Sequence, residues 1–392
     1  MQRISEELVK RGHEVTVVTT SSSSITDVRG LSTAGLTYRN RLMDVPRVSE
    51  ENGVTVYRFN PWLQVLSYLF TPGLFNLLRK RVKDYDVVHA HCYMYAEPDA
   101  AMVAAGMSDT PCILTAHDVV TTYGGAYSLI KKVYDWTLGG ITLSRTTTLV
   151  ALNEENKKQY LGLGCDPKKI RIVPNGIDYE TYRQVERDDA LLALLGNPSR
   201  VVLCISRILK YKGIQHIIDA APAILERYPD TLFVFLGEDQ GFGAELKSQA
   251  LESDVLNHCL FTGSVSAEKV PKYYGLADVF VLPSVGEGFG LVALEAMSAG
   301  LPCVLADHGG LKHVLRHIGG LGIDMEGNAA QQIADHVCSV FEQSPSLEKE
   351  QRIIREGYSW AAVAQKLEEV YQEALNKLEE HPNEPVLDGA HG

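Results

Sequence analysis

The sequence predicts an α/β protein made of two doubly wound, parallel-sheet domains. Three observations carry this reading: short β-branched apolar runs alternate with helical patterns, the rhythm restarts after residues 191–199, and 392 residues suffice for two domains. With 45% hydrophobic and 22% charged residues the chain falls among folded globular proteins, which excludes a mainly disordered or collagen-like one. Its apolar runs, such as 201–205 and 279–282, are strand-sized and far short of the roughly 20 residues of a membrane-crossing helix.

The first element is a helix over 4–10, stopped by Gly12. It reads as a polar-faced helix rather than a secretion signal. Strands are predicted over 14–20, 54–59, 87–91, 112–116, 149–152 and 170–173, with helices between them. Doubly wound domains normally begin with a strand at the middle of the sheet, so a first strand and its loop are expected to be missing here. The second set of strands spans 200–206, 232–236, 260–262, 279–282 and 303–306. The expected domains are 1–190 and 191–358. A closing helix over 359–380 is expected to pack back on the first domain, with Val363, Leu367, Val370, Tyr371 and Leu375 on one face. Residues 381–392 read as a mobile tail.

Charge and cysteines narrow the function. A net charge of -12 argues against a nucleic-acid binder, because phosphate contacts need clustered Lys and Arg. Residues 1–150 hold 15 basic against 14 acidic side chains, and the remainder 22 against 35, so the first part is the one to meet an anionic surface. Within it, the apolar stretch 62–78 runs into Arg79, Lys80, Arg81 and Lys83. That pattern suits either an anionic bilayer or a core helix with a solvated basic end. Seven scattered cysteines without C-x-x-C spacing suggest neither a disulfide framework nor zinc, and a reducing cytoplasm.

In doubly wound sheets, ligands bind where strands end, so the loops after strands hold the candidate chemistry. The densest is Glu287-Gly288-Phe289-Gly290-Leu291, a Gly-rich turn into a helix. Its glycines admit close backbone approach, and the N–H groups that open the helix suit an anion, most naturally phosphate. Glu295 is a lone carboxylate in that otherwise apolar helix, where ribose hydroxyls would partner it; a solvent-facing Glu is the plain alternative. The loop after the first strand of the second domain places Arg207 and Lys212 together, two cations able to neutralise a diphosphate without metal, with Lys210 competing for the second role. An ordinary solvated basic loop also fits that spacing. His89 and His91 alternate on one strand face as a metal pair might, without a third ligand by sequence, so packing or orientation is the preferred role.

Together these segments resemble the retaining, nucleotide-sugar-dependent glycosyltransferases of family 4. Their E-x7-E element matches Glu287 to Glu295, and their R-x4-K element matches Arg207 to Lys212. Supporting matches run through Asp86 to His91, Thr115-Ala116-His117-Asp118, Val173 to Asp178, and Ala277 to Ser284. The resemblance implies a GT-B fold, two Rossmann-like domains facing across a cleft, and a peripheral enzyme at the cytoplasmic membrane face. It implies that Arg207 and Lys212 bind the diphosphate of a UDP- or GDP-sugar and that the backbone of Gly288, Phe289, Gly290 and Leu291 assists. Glu295 would then take ribose hydroxyls, Glu287 the transferred hexose, the region of Val265 the base, and His117 the sugar. No metal or other cofactor is implied. The acceptor would be a glycolipid, polysaccharide or other glycoconjugate. Members usually begin with a strand and a Gly-Gly loop not seen here, which keeps open a non-catalytic nucleotide-sugar-binding or partner-binding relative. A GT-B sugar-nucleotide epimerase is a further alternative.

Overall fold

The computed structural model describes residues 1–21, 44–65, 68–117 and 126–380. Packing divides the chain into two units, Met1–Pro174 together with the chain from Val363 onward, and Asn175–Ala362. The expected tail and Asp118 lie outside the described residues.

The N-terminal unit contains β1 (Thr16–Thr20), β2 (Val48–Glu51), β3 (Val54–Phe59), β4 (Leu63–Val65), β5 (Tyr68–Phe70), β6 (Val88–His91), β7 (Cys112–Thr115), β8 (Thr148–Ala151) and β9 (Ile170–Ile172). One doubly wound sheet is expected from the sequence, but the strands form separate sheets. They run β1-β3-β2, the hairpin β4-β5, and the parallel set β6-β7-β8-β9. Within the first sheet one strand also runs against the others. Asn52 and Gly53 both hold positive φ, 52° and 80°, the turn that folds β2 back antiparallel on β3. The β6–β9 sheet is covered by apolar side chains such as Met102, Leu114, Leu149 and Tyr160, all essentially inaccessible. The Tyr160 hydroxyl spans two strand ends, accepting from the Ala116 N–H at 2.8 Å and donating to the Val150 carbonyl at 3.2 Å.

The basic stretch that was open to two readings is neither one long helix nor wholly core. Pro72 starts a helix, Pro72–Arg81, only after the β4–β5 hairpin, because proline tolerates a helix's first turn and not its interior.

The last helix, Trp360–Glu380, joins the N-terminal unit through polar contacts as well as its buried Val363, Leu367 and Val370. Glu368 accepts from Arg11 Nη2 at 2.6 Å and lies 2.8 Å from His13 Nε2, and Arg171 Nε donates to Glu373 at 2.7 Å. The Arg11 hydrogen bond, with a smaller part from His13, holds the Glu368 carboxyl down to about 2. A depressed carboxylate stabilises the fold above its unfolded range near 4.5 and loses that contribution as pH falls through about 2. Hydrogen-exchange protection of residues 360–380 is therefore expected to weaken across that window, and Glu368→Gln to remove most of this dependence. The pair is partly solvated, so the effect is modest.

The C-terminal unit holds β10 (Arg200–Ile205), β11 (Thr231–Leu236), β12 (Cys259–Gly263), β13 (Val279–Leu282), β14 (Cys303–Ala306) and β15 (Leu321–Ile323). All are parallel in the order β12-β11-β10-β13-β14-β15. This is the doubly wound pattern, and its order reverses between β10 and β13. The strands are near-continuous apolar runs because both faces are covered; Leu203, Phe233 and Phe280 are fully buried.

The junction expected at 190/191 falls instead at Pro174/Asn175. The connecting helices Tyr179–Arg183 and Asp189–Leu194 pack on the C-terminal unit. Tyr182 meets Tyr274 edge-on at 5.6 Å, and Lys272 Nζ donates to Asp188 at 2.8 Å.

Candidate active site

The reversal point gathers two loops. One follows β10 and carries Arg207 and Lys212; the other follows β13 and carries Glu287 to Leu291. Gly213 is what lets them touch. It has φ of 75°, and a side chain there would stand 2.1 Å from the Pro283 carbonyl oxygen. The Val285 N–H donates to the Tyr211 carbonyl at 3.0 Å, so the loops are also joined through their backbones.

Across this junction Lys212 Nζ donates to Glu287 Oε1. Lys212 is only 6% exposed, and a buried ammonium requires such a partner. Lys210 is exposed, so of the two competing lysines it is Lys212 that the fold holds at the loop junction. Arg207 Nη2 donates to the Tyr211 hydroxyl at 3.1 Å, and the Tyr211 ring lies against Gly286 and 5.2 Å from Lys212 Nζ. Tyr211 thus links both cations to the glycine turn. Nothing in its sequence spacing announces this role.

The glycine turn is held from its far side as well. The Gly310 N–H donates to the Glu287 carbonyl at 2.7 Å. Gly310 presses against the backbone of Gly288 and Phe289 so closely that a side chain there would come within 2.5 Å of three of its atoms. The turn leads through Gly290 into the helix Leu291–Ser298, whose first N–H groups lack intrahelical partners. A braced turn, a helix N-terminus and two cations together are the groups that an anion site requires.

Glu295 sits one turn into that helix. It is partly buried and accepts from the Tyr274 hydroxyl at 2.9 Å, with a second hydrogen bond from Tyr182. Burial pushes its carboxyl above the usual range, and the two tyrosine hydroxyls oppose that shift. These tyrosines are the further residues that sequence reasoning missed; Tyr274 is fully buried. Val265 lies in the loop after β12, two strands from β10, and is not hydrogen-bonded into the cluster.

His117 belongs to the N-terminal unit, after β7. It completes a row of imidazoles with the pair on β6. His89 stacks on His91 at 4.2 Å, and His91 Nδ1 lies 3.1 Å from His117 Nε2, so one of the two donates to the other. Both ring nitrogens of His89 are used, at 2.8 Å from Tyr371 Oη and 2.8 Å from Thr115 Oγ1. Among the described residues no group of three or more His, Cys, Asp or Glu side chains is placed to hold a metal ion. Burial lowers the pKa of all three, His89 to about 3, so the row is neutral near pH 7.

A reversed-order parallel sheet with cations and helix amides at its switch point gives the C-terminal unit the architecture of a doubly wound nucleotide fold. Comparison with known proteins carries this to a family. The model for glycosyl transferases group 1 matches residues 194–360, and that for Glycosyltransferase Family 4 matches residues 1–181. The chain belongs to glycosyltransferase family 4, with the two Rossmann-like domains of the GT-B fold.

It is 25% identical to an uncharacterized glycosyltransferase of Methanocaldococcus jannaschii, over 96% of this chain and 93% of that one. It is 31% identical to the Escherichia coli UDP-Gal:alpha-D-GlcNAc-diphosphoundecaprenol alpha-1,3-galactosyltransferase, over 61% of each. Among solved structures, Anabaena HepE in complex with UDP and glucose superposes with a TM-score of 0.65 at 18% identity, covering 82% of this chain and 87% of that one. Among the described residues no helix is long and apolar enough to cross a membrane.

Proposed function

We propose that this glycosyltransferase moves a hexose, with retention of anomeric configuration and without a metal, from a UDP- or GDP-sugar to a glycolipid or other glycoconjugate. The observation that carries the reading is the meeting of Arg207, Lys212, Glu287 and the Gly288–Leu291 turn at the switch point of one sheet. A named relative acts on a diphosphoundecaprenol-linked sugar, which supports a lipid-linked acceptor.

Breaking a sugar–diphosphate bond builds negative charge on the departing phosphate, and fixed cations and amides aimed at it lower the barrier. Lys212 and Arg207 supply the charge, and the turn amides complete the cradle. Glu287, holding Lys212 through one oxygen, keeps the other for a hydroxyl of the transferred sugar. In the front-face route, the acceptor oxygen bonds to the anomeric carbon on the side from which the phosphate leaves. The departing phosphate oxygen takes the acceptor's proton, so no protein nucleophile is required.

Glu295 is assigned the ribose hydroxyls, for which its ionised form is the better acceptor. Because burial raises its pKa, donor affinity should fall with decreasing pH earlier than for an ordinary carboxylate. Calorimetry is expected to find Glu295→Ala binding UDP or GDP about tenfold more weakly. The fold should survive, since the Tyr274 hydroxyl keeps the Val292 carbonyl at 3.2 Å; unchanged affinity would remove Glu295 from the site.

The reading is tested by incubating the chain with UDP- and GDP-sugars in excess EDTA. Transfer to an added glycolipid, or slow donor hydrolysis, is expected to persist. Abolition by chelator with recovery on adding magnesium would contradict the metal-free account, and an inverted anomer in the product would contradict retention.

A further inference from the structure

The two cations at the switch point are held by different means. Lys212 is buried against the Glu287 carboxylate, so its charge is compensated within the protein. Arg207 is exposed, and among the described residues no carboxylate forms an ion pair with it. Its side chain is held instead by a neutral group, the Tyr211 hydroxyl, which accepts from Nη2 at 3.1 Å.

The backbone that carries Arg207 is fixed independently of that bond. The Ile208 N–H donates to the Glu238 carbonyl at 2.9 Å, and the Gln240 N–H donates back to the Ile208 carbonyl at 3.2 Å. Gly237, at the start of this loop after β11, lies so close that a side chain there would stand 1.9 Å from the Ser206 carbonyl oxygen. What remains adjustable is the long arginine stem, and Tyr211 is its restraint. The tyrosine is itself a fixed point. Its carbonyl accepts from the Val285 N–H at 3.0 Å, and its ring lies against Gly286, where a side chain would come within 2.5 Å of Cδ2. Lys212 Nζ stands 5.2 Å from the centre of the same ring.

We propose that Tyr211 is a positioning residue that aims Arg207 at the donor's diphosphate without neutralising it. An unrestrained guanidinium loses the rotamer freedom of its stem when it binds, and a partner that orders it beforehand lessens that loss. A carboxylate would order it as well, but would offset its charge and compete with phosphate for the same forked N–H groups. A phenol takes one N–H and leaves the rest of the fork, with its full charge, to the ligand. The role rests on the nucleotide-sugar reading and assigns within it how the uncompensated cation is held.

The test is a cycle of the wild type, Tyr211→Phe, Arg207→Ala and the double variant. Each is titrated calorimetrically with UDP, GDP and the matching nucleosides, and assayed for turnover at saturating donor. Tyr211→Phe keeps the ring against Gly286 and removes only the hydroxyl, so its thermal midpoint is expected to match that of the wild type. Diphosphate affinity is expected to fall about five- to tenfold, with nucleoside affinity unchanged. Turnover is expected to fall about tenfold as the guanidinium loses its aim. In the Arg207→Ala background the same substitution is expected to add nothing, a non-additivity that a merely structural tyrosine would not produce. Wild-type affinity and turnover in Tyr211→Phe, or an equal loss with and without Arg207, would overturn the proposal. A wild type that binds neither diphosphate more tightly than its nucleoside would overturn the nucleotide-sugar reading and this role with it. A clear diphosphate preference that Tyr211→Phe leaves intact would overturn this role alone.

Discussion

Lys212→Ala is expected to lower turnover by roughly a hundred- to a thousandfold, about 3–4 kcal/mol of transition-state stabilisation, as removal of a preorganised charge at a departing anion does elsewhere. Lys210→Ala, two residues away on an exposed side chain, is expected to remain within a few-fold of the wild type. The contrast comes from placement. Lys212 is buried and fixed by Glu287, so its charge stands in the loop junction before any ligand arrives, and little reorganisation accompanies the reaction. Removing it also leaves the Glu287 carboxylate unpaired, so part of the loss should appear as a lower thermal midpoint. Lys212→Ala, Glu287→Gln and the double variant form a cycle that separates the two effects. Steady-state rates with a saturating donor provide the measurement, and equal losses for Lys210 and Lys212 would show that the cation has been misassigned.

The second large effect is expected from a methyl group. Gly310→Ala would place a carbon 2.5 Å from the carbonyl carbon and oxygen of Gly288 and from the amide nitrogen of Phe289. All three are backbone atoms, which cannot rotate away as a side-chain tip can. The turn must therefore shift, carrying its amides off the anion position and straining the bond from the Gly310 N–H to the Glu287 carbonyl. Affinity for a nucleoside diphosphate should fall by at least about tenfold, and stability by about 1–3 kcal/mol for the overpacking. Gly357→Ala is the control, since a side chain there meets nothing within 4 Å and the position lies inside the helix Glu348–Tyr358. It should leave affinity unchanged and raise the thermal midpoint slightly. Wild-type affinity in Gly310→Ala would remove the turn amides from the site.

The C-terminal unit was the more legible half, for a physical reason. Its strands are buried on both faces, so they read as unbroken apolar runs that stand out from the helices around them; only β15 escaped, three residues long among glycines. In the N-terminal unit the turn Asn52-Gly53 stood in the sequence as a hairpin signal, yet β2, with Val48, Glu50 and Glu51 exposed, lacks the apolar pattern that would have prompted its use. Site residues held by spacing along one segment, Glu287 with Glu295 and Arg207 with Lys212, could be found from sequence. Their supports could not. Tyr182 and Tyr274 act by meeting groups from other segments, and Tyr211 joins Arg207 of its own loop to Gly286 of the other, pairings that residue type and local spacing do not encode. The third imidazole beside His89 and His91 was hidden the same way, since His117 arrives from the next strand.

The central claim is that the C-terminal unit grips a diphosphate through Arg207, Lys212 and the amides of one turn. Calorimetric titration of UDP, GDP and the matching nucleosides into the wild type and Lys212→Ala, with EDTA throughout, addresses it directly. The account predicts that one diphosphate binds the wild type well over tenfold more tightly than its nucleoside, and that Lys212→Ala erases most of that difference while leaving the nucleoside affinity in place. A nucleoside binding as tightly as its diphosphate, or a diphosphate advantage untouched by the loss of Lys212, would contradict it.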